Sequence, residues 1–383
     1  MKNILIISFS NISKDPRVLR QIEYFSEKYT TTVIGFSNPK LKNITFVEIN
    51  QEKKNFYWFL KLILLLFGFY ELYYLLKKEV IQIKKKQHLI NIPDVIIAND
   101  YDTLKIALTF KNSDNILVFD SHEYSPEENT DSLKWKLLMK NYINSNIKKY
   151  AKQAEIMVTV SYRIIEKYKS AYNLNPILLT NAPFYFSNNI KQCSKDKIQI
   201  IHHGLALESR KIENMIFMMD YLDDRFILDL MLVPNKLEYY NYLQKLCENR
   251  KNVNIIKPVN FQEIIRFSTQ YDVGLFLLEP TNFNYEYALP NKFFEYIASN
   301  LAIAIGPSKE MLRILNKYDL GIASESFEPK DLAKKIAELD ENKINHFKAN
   351  SKKAFKELSG TNGFLTLENE IIKAQNLKME LNR

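Results

Sequence analysis

The sequence predicts an α/β protein of two doubly wound domains, each a parallel sheet with helices on both faces. The chain has 383 residues, which is long for one domain and comfortable for two. Apolar runs of strand length alternate with stretches of helical periodicity, and this alternation predicts parallel sheets. The pattern stops at a polar stretch, residues 188–197, and then starts again, which indicates a second domain.

The first half begins with a continuous apolar run, Asn3–Ser8, which is typical of a fully buried parallel strand. Pro16 then stands where a helix can begin, and apolar residues recur behind it at helical spacing. Further strands are predicted at Thr31–Phe36, Ile44–Ile49, Asp94–Ala98, Ile116–Phe119 and Glu155–Val160, and this half closes with Pro176–Thr180.

The second half repeats the pattern after residues 188–197, where we place the linker. Its predicted strands are Ile198–His202, Phe226–Val233, Val253–Ile256, Val273–Leu278 and Ala302–Ile305, and its predicted helices are Ile212–Tyr221, Leu237–Asn249, Asn291–Ser299 and Lys309–Lys317. The resulting domains are 1–185 and 186–365, with a C-terminal helix at 366–383 that we expect to return to the first domain. Open parallel sheets bind ligands beyond the C-terminal ends of their strands, so we expect the ligand site in a cleft between the domains.

The chain carries a surplus of positive charge, formally +9. Such a surplus favours an anionic partner: a nucleotide phosphate, an acidic membrane surface or, last in rank because no motif supports it, a nucleic acid. The two cysteines, Cys193 and Cys247, are too few for a disulfide scaffold and fit a reducing compartment. The apolar N-terminus is only strand length and lacks a small-residue cleavage site, so we interpret it as a buried strand of a cytoplasmic protein.

The sharpest motif is Ala288–Tyr296, which reads Ala-Leu-Pro-Asn-Lys-Phe-Phe-Glu-Tyr. Pro290 and Asn291 are good helix-start residues, and the free N–H groups and positive dipole end of such a helix can bind an anion without a glycine-rich loop. Glu295 lies one turn further on, where a carboxylate can accept hydrogen bonds from both ribose hydroxyls of a nucleotide. The residues alone leave a second interpretation open, an ordinary amphipathic helix with a solvated glutamate.

This motif, with the strand Ala302–Ile305 behind it, stands last in an ordered set of segments. The others are Asp15–Arg20, Asn99–Leu104, Asp120–Glu123, Thr180–Pro183, His203-Gly204 and Ser209–Glu213. Together they resemble the motifs of family 4 glycosyltransferases of the GT-B fold, especially those of capsule and surface-polysaccharide assembly. The resemblance runs from about Ile4 to Ser308 and implies two Rossmann-like domains that face a central cleft.

The resemblance assigns roles position by position. Glu295 would bind the ribose of a nucleoside-diphosphate sugar, and Arg210, with Lys211, would neutralise its pyrophosphate as the leaving group gains charge. Gly204 belongs to the glycine-then-basic segment that opens the donor domain. His122 would lie under the donor sugar, near the reacting carbon, in a positional and electrostatic role.

The sequence departs from the family's pattern on the sugar side of this site. Most members carry a Glu-x7-Glu pair, and counting back from Glu295 places Tyr287 at the first position, with Glu286 one residue too early. Either the loop brings Glu286 into the site or the sugar is held differently. Candidate residues on the acceptor side are Asp15, Arg17, Asp100 and Asp102, with helix capping as the alternative for the last two.

The stretch Phe56–Leu76 is dense in aromatic and leucine side chains, but Lys61 and Glu71 interrupt it, so its uncharged core is too short to span a bilayer. A basic cluster follows at Lys77, Lys78, Lys84, Lys85 and Lys86. Apolar and aromatic residues beside lysines suit a membrane interface. We therefore predict that 56–88 docks the protein peripherally on the inner face of the cytoplasmic membrane, with a buried helix pair as the alternative.

The predicted activity is transfer of a sugar from a nucleoside diphosphate to a hydroxyl of a surface glycan that is lipid-linked. The resemblance implies retention of the anomeric configuration. No metal or other cofactor is expected, because there is no Asp-x-Asp motif and because Arg210 and a helix end can replace a metal. Two alternatives remain: an inactive nucleotide-sugar-binding or scaffolding subunit of polysaccharide assembly, and a sugar-nucleotide epimerase, which would need paired acids and histidines.

Overall fold

The computed structural model of the protein describes residues 2–51, 58–128 and 132–381. The chain divides into two compact units: unit 1 comprises Met1–Thr180 and Gly363–Arg383, and unit 2 comprises Asn181–Asn362. The predicted limits, 185 and 365, lie a few residues beyond these divisions. Each unit contains a parallel sheet with its helices, which confirms the predicted fold class of two parallel-sheet α/β domains.

Unit 1 is built on a seven-stranded sheet in the order β3-β2-β1-β4-β5-β6-β7, and its strand pairs are parallel. The strands are β1 (Asn3–Asn11), β2 (Thr30–Phe36), β3 (Ile44–Glu48), β4 (Val95–Asn99), β5 (Ile116–Ser121), β6 (Ile156–Thr159) and β7 (Ile177–Leu178). The helices are α1 (Pro16–Ser26), α2 (Trp58–Leu66), α3 (Tyr70–Leu75), α4 (Lys78–Lys86), α5 (Tyr101–Ala107), α6 (Leu133–Tyr150) and α7 (Tyr162–Tyr172).

The strand order of unit 1 determines where its polar residues converge. The chain runs outward from β1 to β3 and then returns to the other side of β1 with β4, so the order reverses between β1 and β4. Ligands bind in the crevice at such a switch point, beyond the carboxyl ends of the strands. The interior of β1, Ile4 to Ile7, is buried on both faces, so polar side chains become available only where the strands end.

Unit 2 has a six-stranded parallel sheet in the order β10-β9-β8-β11-β12-β13, with its own switch point between β8 and β11. Its strands are β8 (Ile198–Ala206), β9 (Phe226–Pro234), β10 (Val253–Ile256), β11 (Val273–Phe276), β12 (Ala302–Ile305) and β13 (Gly321–Ala323). Its helices are α8 (Glu213–Met218), α9 (Leu237–Glu248), α10 (Ile264–Ser268), α11 (Phe283–Glu286), α12 (Asn291–Ala298), α13 (Lys309–Tyr318), α14 (Pro329–Ala337) and α15 (Glu341–Leu358).

The last helix, α16 (Gly360–Leu381), belongs to unit 1 from Gly363 onward. Its Glu368 accepts hydrogen bonds from Tyr24 Oη at 2.6 Å and from Lys28 Nζ at 2.7 Å, both on or next to α1. Phe364 stacks on the Tyr24 ring, with centroids 5.3 Å apart. This helix therefore completes the packing around α1.

The stretch 188–197, which we expected to be a linker, packs against unit 2 instead. Cys193 lies in the hydrophobic core of the unit, and Asn188 Nδ2 donates to the Ala298 carbonyl at 2.9 Å. Lys191 Nζ donates to the Gln270 carbonyl at 2.5 Å. The sequence argument failed here because it counted apolar side chains, whereas these polar side chains bind backbone carbonyls of the unit.

Candidate functional site

Two cations meet at Gly204, near the end of β8 in unit 2. Gly204 has a φ of +143°, and a Cβ added there would lie 2.8 Å from Lys292 Nζ and 3.4 Å from an Arg210 guanidinium nitrogen. Glycine is therefore required twice, by its backbone conformation and by the close approach of the two side chains. Arg210 and Lys292 thus flank a stretch of backbone that carries no side chain of its own.

Neither cation has a carboxylate partner. Across residues 2–51, 58–128 and 132–381, no carboxylate lies within ion-pairing distance of Lys292 or Arg210, although Lys292 is only 8% exposed. Burial, with the nearby charge of Arg210, lowers the pKa of Lys292 well below its usual range, and burial also lowers the pKa of Arg210. Removing an unpaired charge from water is costly, so this pair favours an anionic ligand.

Two neutral histidines separate this cation pair from the rest of the core. His202 Nδ1 lies 2.9 Å from the Leu275 carbonyl and donates to it, which leaves Nε2 as an acceptor 3.5 Å from Lys292 Nζ. Burial, and after it the charge of Lys292, lowers the pKa of His203 to about 3 and that of His202 well below its usual value. The histidines therefore add no positive charge near neutral pH.

Glu295 lies on the same face of α12 as Lys292, three residues further along the helix. Its side chain is 7% exposed, and its Oε2 lies 3.5 Å from His203 Nε2, an atom that has no hydrogen-bond partner in the described part of the chain. The carboxylate predicted to bind ribose therefore lies on the same helix as the cation pair.

The helix begins where the motif predicted. Pro290 is its N-cap, in an extended conformation, and Asn291 is its first residue. The Asn291 Oδ1 atom is buried and has no hydrogen-bond partner among the described residues. The start of α12 therefore presents amide groups and one unpartnered amide oxygen beside Lys292.

A cavity of about 150 Å³ lies beyond the ends of β11 and β12, within unit 2. Glu286 lines it, and its carboxylate accepts from Lys309 Nζ at 2.8 Å. Tyr287, the residue at the family's first acidic position, packs its ring against Phe283, with centroids 4.8 Å apart. The loop thus brings Glu286 to a cavity of unit 2, where it is paired with a lysine.

Two basic residues of the same region point elsewhere. The ammonium group of Lys211 binds the Glu279 carboxylate at the surface, and Lys211 itself has a left-handed backbone with φ of 45°. Lys236 is an exposed partner of Glu208 at 3.7 Å. Of the two basic residues that the resemblance assigns to the pyrophosphate, Arg210 and Lys211, Arg210 flanks Gly204 and Lys211 does not.

Sequence reasoning missed Lys292, although it lies inside the quoted motif. A signal was available, because a lysine three residues before the glutamate predicted to bind ribose must share its helix face. His202 and His203 were missed as well, since a His-His pair inside an apolar strand gives no spacing that indicates a ligand.

In unit 1, polar side chains converge at the ends of β1, β4 and β5. The Arg17 guanidinium grips the buried Asp120 carboxylate, with Nη2 at 2.6 Å and Nε at 3.0 Å from Oδ1, and donates to the Leu179 carbonyl. Gln21 donates to Asp120 at 3.1 Å and accepts from Asn99 Nδ2 at 2.9 Å. Arg17 is therefore a structural partner of Asp120, with a guanidinium already bound on several sides.

His122 follows β5 directly and lies between two acceptors. Its Nε2 is 3.0 Å from Asn99 Oδ1, and its Nδ1 is 3.3 Å from Asp100 Oδ2. The doubly protonated ring can donate to both, whereas a neutral ring leaves a lone pair facing an acceptor. Because neither ring nitrogen points to free space, this arrangement suits an electrostatic and positional role better than proton abstraction.

Asp100 holds a strained backbone conformation, with φ of 62° and ψ of 163°, a region that non-glycine residues rarely occupy. Its side chain makes no capping hydrogen bond, and its Oδ1 accepts from the His122 backbone N–H at 3.2 Å. The strain therefore places the Asp100 carboxylate against His122 rather than over the first turn of α5.

The two remaining acceptor-side candidates have local partners. Asp15 caps α1, where its side chain accepts from the backbone N–H groups of Arg17 and Val18. Asp102 binds Lys77 Nζ at 2.7 Å and accepts from Tyr142 Oη at 3.3 Å.

A carboxyl group that the sequence did not single out lies next to His122. Burial, with the adjacent charge of Glu128, raises the pKa of Glu123 to about 8. The described residues contain no group of three or more His, Cys, Asp or Glu side chains placed to hold a metal ion.

Comparison with solved structures defines the class of fold. Anabaena HepE, solved in complex with UDP and glucose, matches with a TM-score of 0.70 at 12% identity, over 97% of this chain and 100% of that one. A trehalose 6-phosphate synthase from Burkholderia multivorans matches with a TM-score of 0.68 at 9% identity, over 98% and 99% of the two chains. These neighbours are GT-B glycosyltransferases, and the chain shares their fold.

Staphylococcus aureus TarM, solved with Fondaparinux, α-GlcNAc-glycerol and UDP, matches with a TM-score of 0.60 at 13% identity. The match covers 77% of this chain, which spans only 59% of TarM. No protein-family model and no curated protein matches the sequence. The similarity thus establishes the GT-B fold, and the capsule-type family 4 assignment stays a prediction.

Proposed function

We propose that the protein is a glycosyltransferase that takes a sugar from a nucleoside diphosphate, with UDP as the nucleotide. The observation that carries the proposal is the pair of cations at Gly204, Arg210 and Lys292, which have no carboxylate partner among the described residues, with Glu295 on the helix of Lys292. UDP is proposed because HepE and TarM were both solved with it.

The diphosphate and the ribose of a nucleotide then each have a matching group in unit 2. The diphosphate lies between Arg210 and Lys292, over the glycine backbone and the amide groups at the start of α12. The ribose hydroxyls donate to Glu295. The cavity lined by Glu286 and Lys309 is the space available for the part of the donor that extends from the ends of β11 and β12.

The chemical work of these residues is to stabilise the leaving group. When the bond between the anomeric carbon and the diphosphate oxygen breaks, negative charge grows on the diphosphate, and two preorganised cations in a partly buried site stabilise that charge. Two positive side chains and a helix end supply what a divalent metal supplies elsewhere. We therefore propose metal-independent transfer with retention, as the resemblance implies.

The acceptor in this proposal is a hydroxyl group of a surface glycan carried on a lipid. His122, held between Asn99 and Asp100, has the positional role next to the donor sugar that the resemblance gives it. The anomeric configuration of the product, read by NMR, tests retention, and activity in excess EDTA tests metal independence.

A thermal-shift panel with UDP, GDP, CDP and ADP tests the donor site. A ligand that binds only the native state at a hundredfold excess over its Kd raises the free energy of unfolding by about 2.7 kcal/mol. We expect UDP to protect the wild type, Glu295→Gln to weaken that protection and Lys292→Gln to remove most of it. Lys236→Gln makes the same charge change at the surface and keeps full protection.

Assays of UDP-sugar hydrolysis, transfer and interconversion, run beside the thermal-shift panel, separate the alternatives. Protection by UDP without hydrolysis or transfer of any UDP-sugar identifies an inactive nucleotide-sugar-binding subunit. Interconversion of the sugar on the intact nucleotide identifies an epimerase. If no nucleotide protects the wild type, the cation pair serves another anion and the proposal fails.

A further inference from the structure

A broad apolar surface covers one side of unit 1. It is formed by α2, the loop 67–69, α3 and the first turns of α6, and we call it the aromatic face. Six of its side chains are between 55% and 76% exposed: Trp58, Phe59, Phe67, Phe69, Leu133 and Leu137. Soluble monomers rarely expose so many large apolar side chains together, so such a surface indicates an interaction site.

A cavity of about 390 Å³ opens between α2 and α6 at this face. Its lining is mainly apolar and includes both tryptophans of the chain, Trp58 on α2 and Trp135 on α6, with Leu62 and Leu138 between them. Lys61 and Lys134 also line it. The lining is therefore mainly apolar, with two lysine side chains in its wall.

The positive charge of the face lies on α6. Lys134, Lys136 and Lys140 are on the part of α6 that carries Leu133 and Leu137, and within the described ranges none of the three lysines has a carboxylate within ion-pairing distance. Tryptophan, phenylalanine and leucine beside unpaired lysines are the composition of a membrane-interface surface.

The basic cluster expected from the sequence contributes less. Lys77 is bound to Asp102 at 2.7 Å, and Lys86 donates to the Glu48 carbonyl at 2.6 Å, so neither ammonium group is available. The one carboxylate in α2 and α3, Glu71, is bound by Lys105 and Lys149, and these contacts lower its pKa to about 2 against the effect of burial. The face therefore presents no unpaired negative charge from these helices.

We propose that the aromatic face binds an anionic phospholipid bilayer, with Lys134, Lys136 and Lys140 at the lipid phosphates and one lipid chain in the cavity between Trp58 and Trp135. The inference deepens the proposed function, on which it rests, because a bilayer is where a lipid-linked acceptor is met. Among the described residues no helix is long and apolar enough to cross a membrane, so the contact is with the surface.

The two tryptophans allow a direct assay, because the tryptophan fluorescence of the protein comes from two residues that line this cavity. The full chain is mixed with vesicles of equimolar phosphatidylglycerol and phosphatidylcholine, with bromine atoms on the lipid chains. We expect a blue shift and strong quenching, and much weaker quenching with phosphatidylcholine alone. Vesicle binding without quenching of either tryptophan would overturn the proposal, since the contact would then lie elsewhere.

A matched pair of variants distinguishes a specific role of the α6 lysines from an effect of the total positive charge. The triple substitution Lys134→Gln, Lys136→Gln and Lys140→Gln is compared with Lys78→Gln, Lys84→Gln and Lys85→Gln on α4, which removes equal charge from exposed lysines. Each lysine near an anionic surface strengthens binding roughly fivefold, so the α6 variant should bind on the order of 100-fold more weakly. Equal loss in both variants refutes the role of α6.

Two further measurements distinguish bilayer binding from dimerisation through the aromatic face and from failure of the donor site. Phe67→Gln with Leu137→Gln changes only exposed side chains, and it should lower partitioning while the melting curve stays unchanged. A dimer in light scattering that these substitutions abolish shows that a second copy covers the face, which overturns the lipid assignment. UDP protection, measured on the same samples, reports on the donor site alone, so either proposal can fail without the other.

Discussion

Replacing Lys292 with methionine should stabilise the nucleotide-free protein and should weaken its binding of UDP. Methionine keeps the unbranched stem but removes a charge that is 8% exposed and has no carboxylate partner among the described residues. Replacing a buried ion pair by apolar groups of similar volume often stabilises by about 1–4 kcal/mol, and we expect a gain of the same order for this buried charge. For a domain of this size that corresponds to a rise in Tm of roughly 2–4 °C for each kcal/mol.

The loss of binding follows from the same geometry. A charge-assisted hydrogen bond from Lys292 to a phosphate oxygen contributes about 1.5–3 kcal/mol, so the Kd for UDP should rise on the order of 10- to 100-fold. If a substitution stabilises the fold and still weakens UDP binding, misfolding cannot explain the weaker binding.

The pH dependence of the free energy of unfolding tests the same reasoning independently. Because burial lowers the pKa of Lys292, the native state binds fewer protons than the unfolded chain between that lowered pKa and 10.5. The contribution of Lys292 to the free energy of unfolding therefore rises with pH across this window. The advantage of Lys292→Met should be largest at low pH and should vanish as the pH approaches 10.5.

Lys348 provides the control, because it is equally buried but paired. Its Nζ lies 3.0 Å from Asp272 Oδ1 and 2.8 Å from the Tyr271 carbonyl. Lys348→Met leaves a buried carboxylate without its partner and should destabilise by about 3–5 kcal/mol. Urea unfolding from pH 6 to 10 and titration calorimetry with UDP measure both variants. If Lys292→Met also destabilises, or leaves the Kd for UDP unchanged, the reasoning about an unpaired cation is refuted.

Three other substitutions have defined outcomes. Asp120→Asn removes the buried partner of Arg17 and should lower the free energy of unfolding by about 3–5 kcal/mol in urea; a loss below 1 kcal/mol would contradict the pairing. Glu123 has its pKa raised to about 8 by burial and a neighbouring carboxylate, so its contribution to the free energy of unfolding should fall as pH rises from 4.5 to 8. Glu123→Gln should flatten that part of the curve, and an unchanged slope in chemical denaturation would assign it to another group. Gly204→Ala should cost roughly 1–3 kcal/mol for its φ of +143° and should weaken UDP protection, because the methyl group lies 2.8 Å from Lys292 Nζ.

The strands were predictable where short apolar runs are bounded by turn residues. Val253–Ile256 and Ala302–Ile305 are strands with the predicted limits, because a buried parallel strand needs apolar side chains on both faces. No element was predicted at β13, α14 or α15. The helix α15 is rich in lysine, and its few buried residues, such as Ile344 and Phe355, define a face only when the rest of unit 2 is present.

Part of the site was also readable from the motif. The helix start at Pro290 and the carboxylate of Glu295 on the first turns follow from local rules about caps and helix faces. The contacts of Asp102 could not be predicted from the motif, because its partners, Lys77 and Tyr142, come from distant positions in the chain. Long-range ion pairs of this kind depend on the tertiary fold and leave no pattern in a single sequence.

Lys292 shows why a site can be hidden inside a recognised motif. Cations are disfavoured near the N-terminus of a helix, where the dipole is positive, and a lysine there is expected to extend into solvent. Lys292 is instead buried beside a second cation, so burial, the charge of Arg210 and the helix dipole all oppose its charge, whereas Glu295 favours it. A protein keeps such a group in place when a ligand supplies negative charge, and in our proposal a diphosphate does so at the position that Gly204 leaves open. The unfavourable electrostatics around Lys292 are therefore the strongest argument for the proposed diphosphate donor.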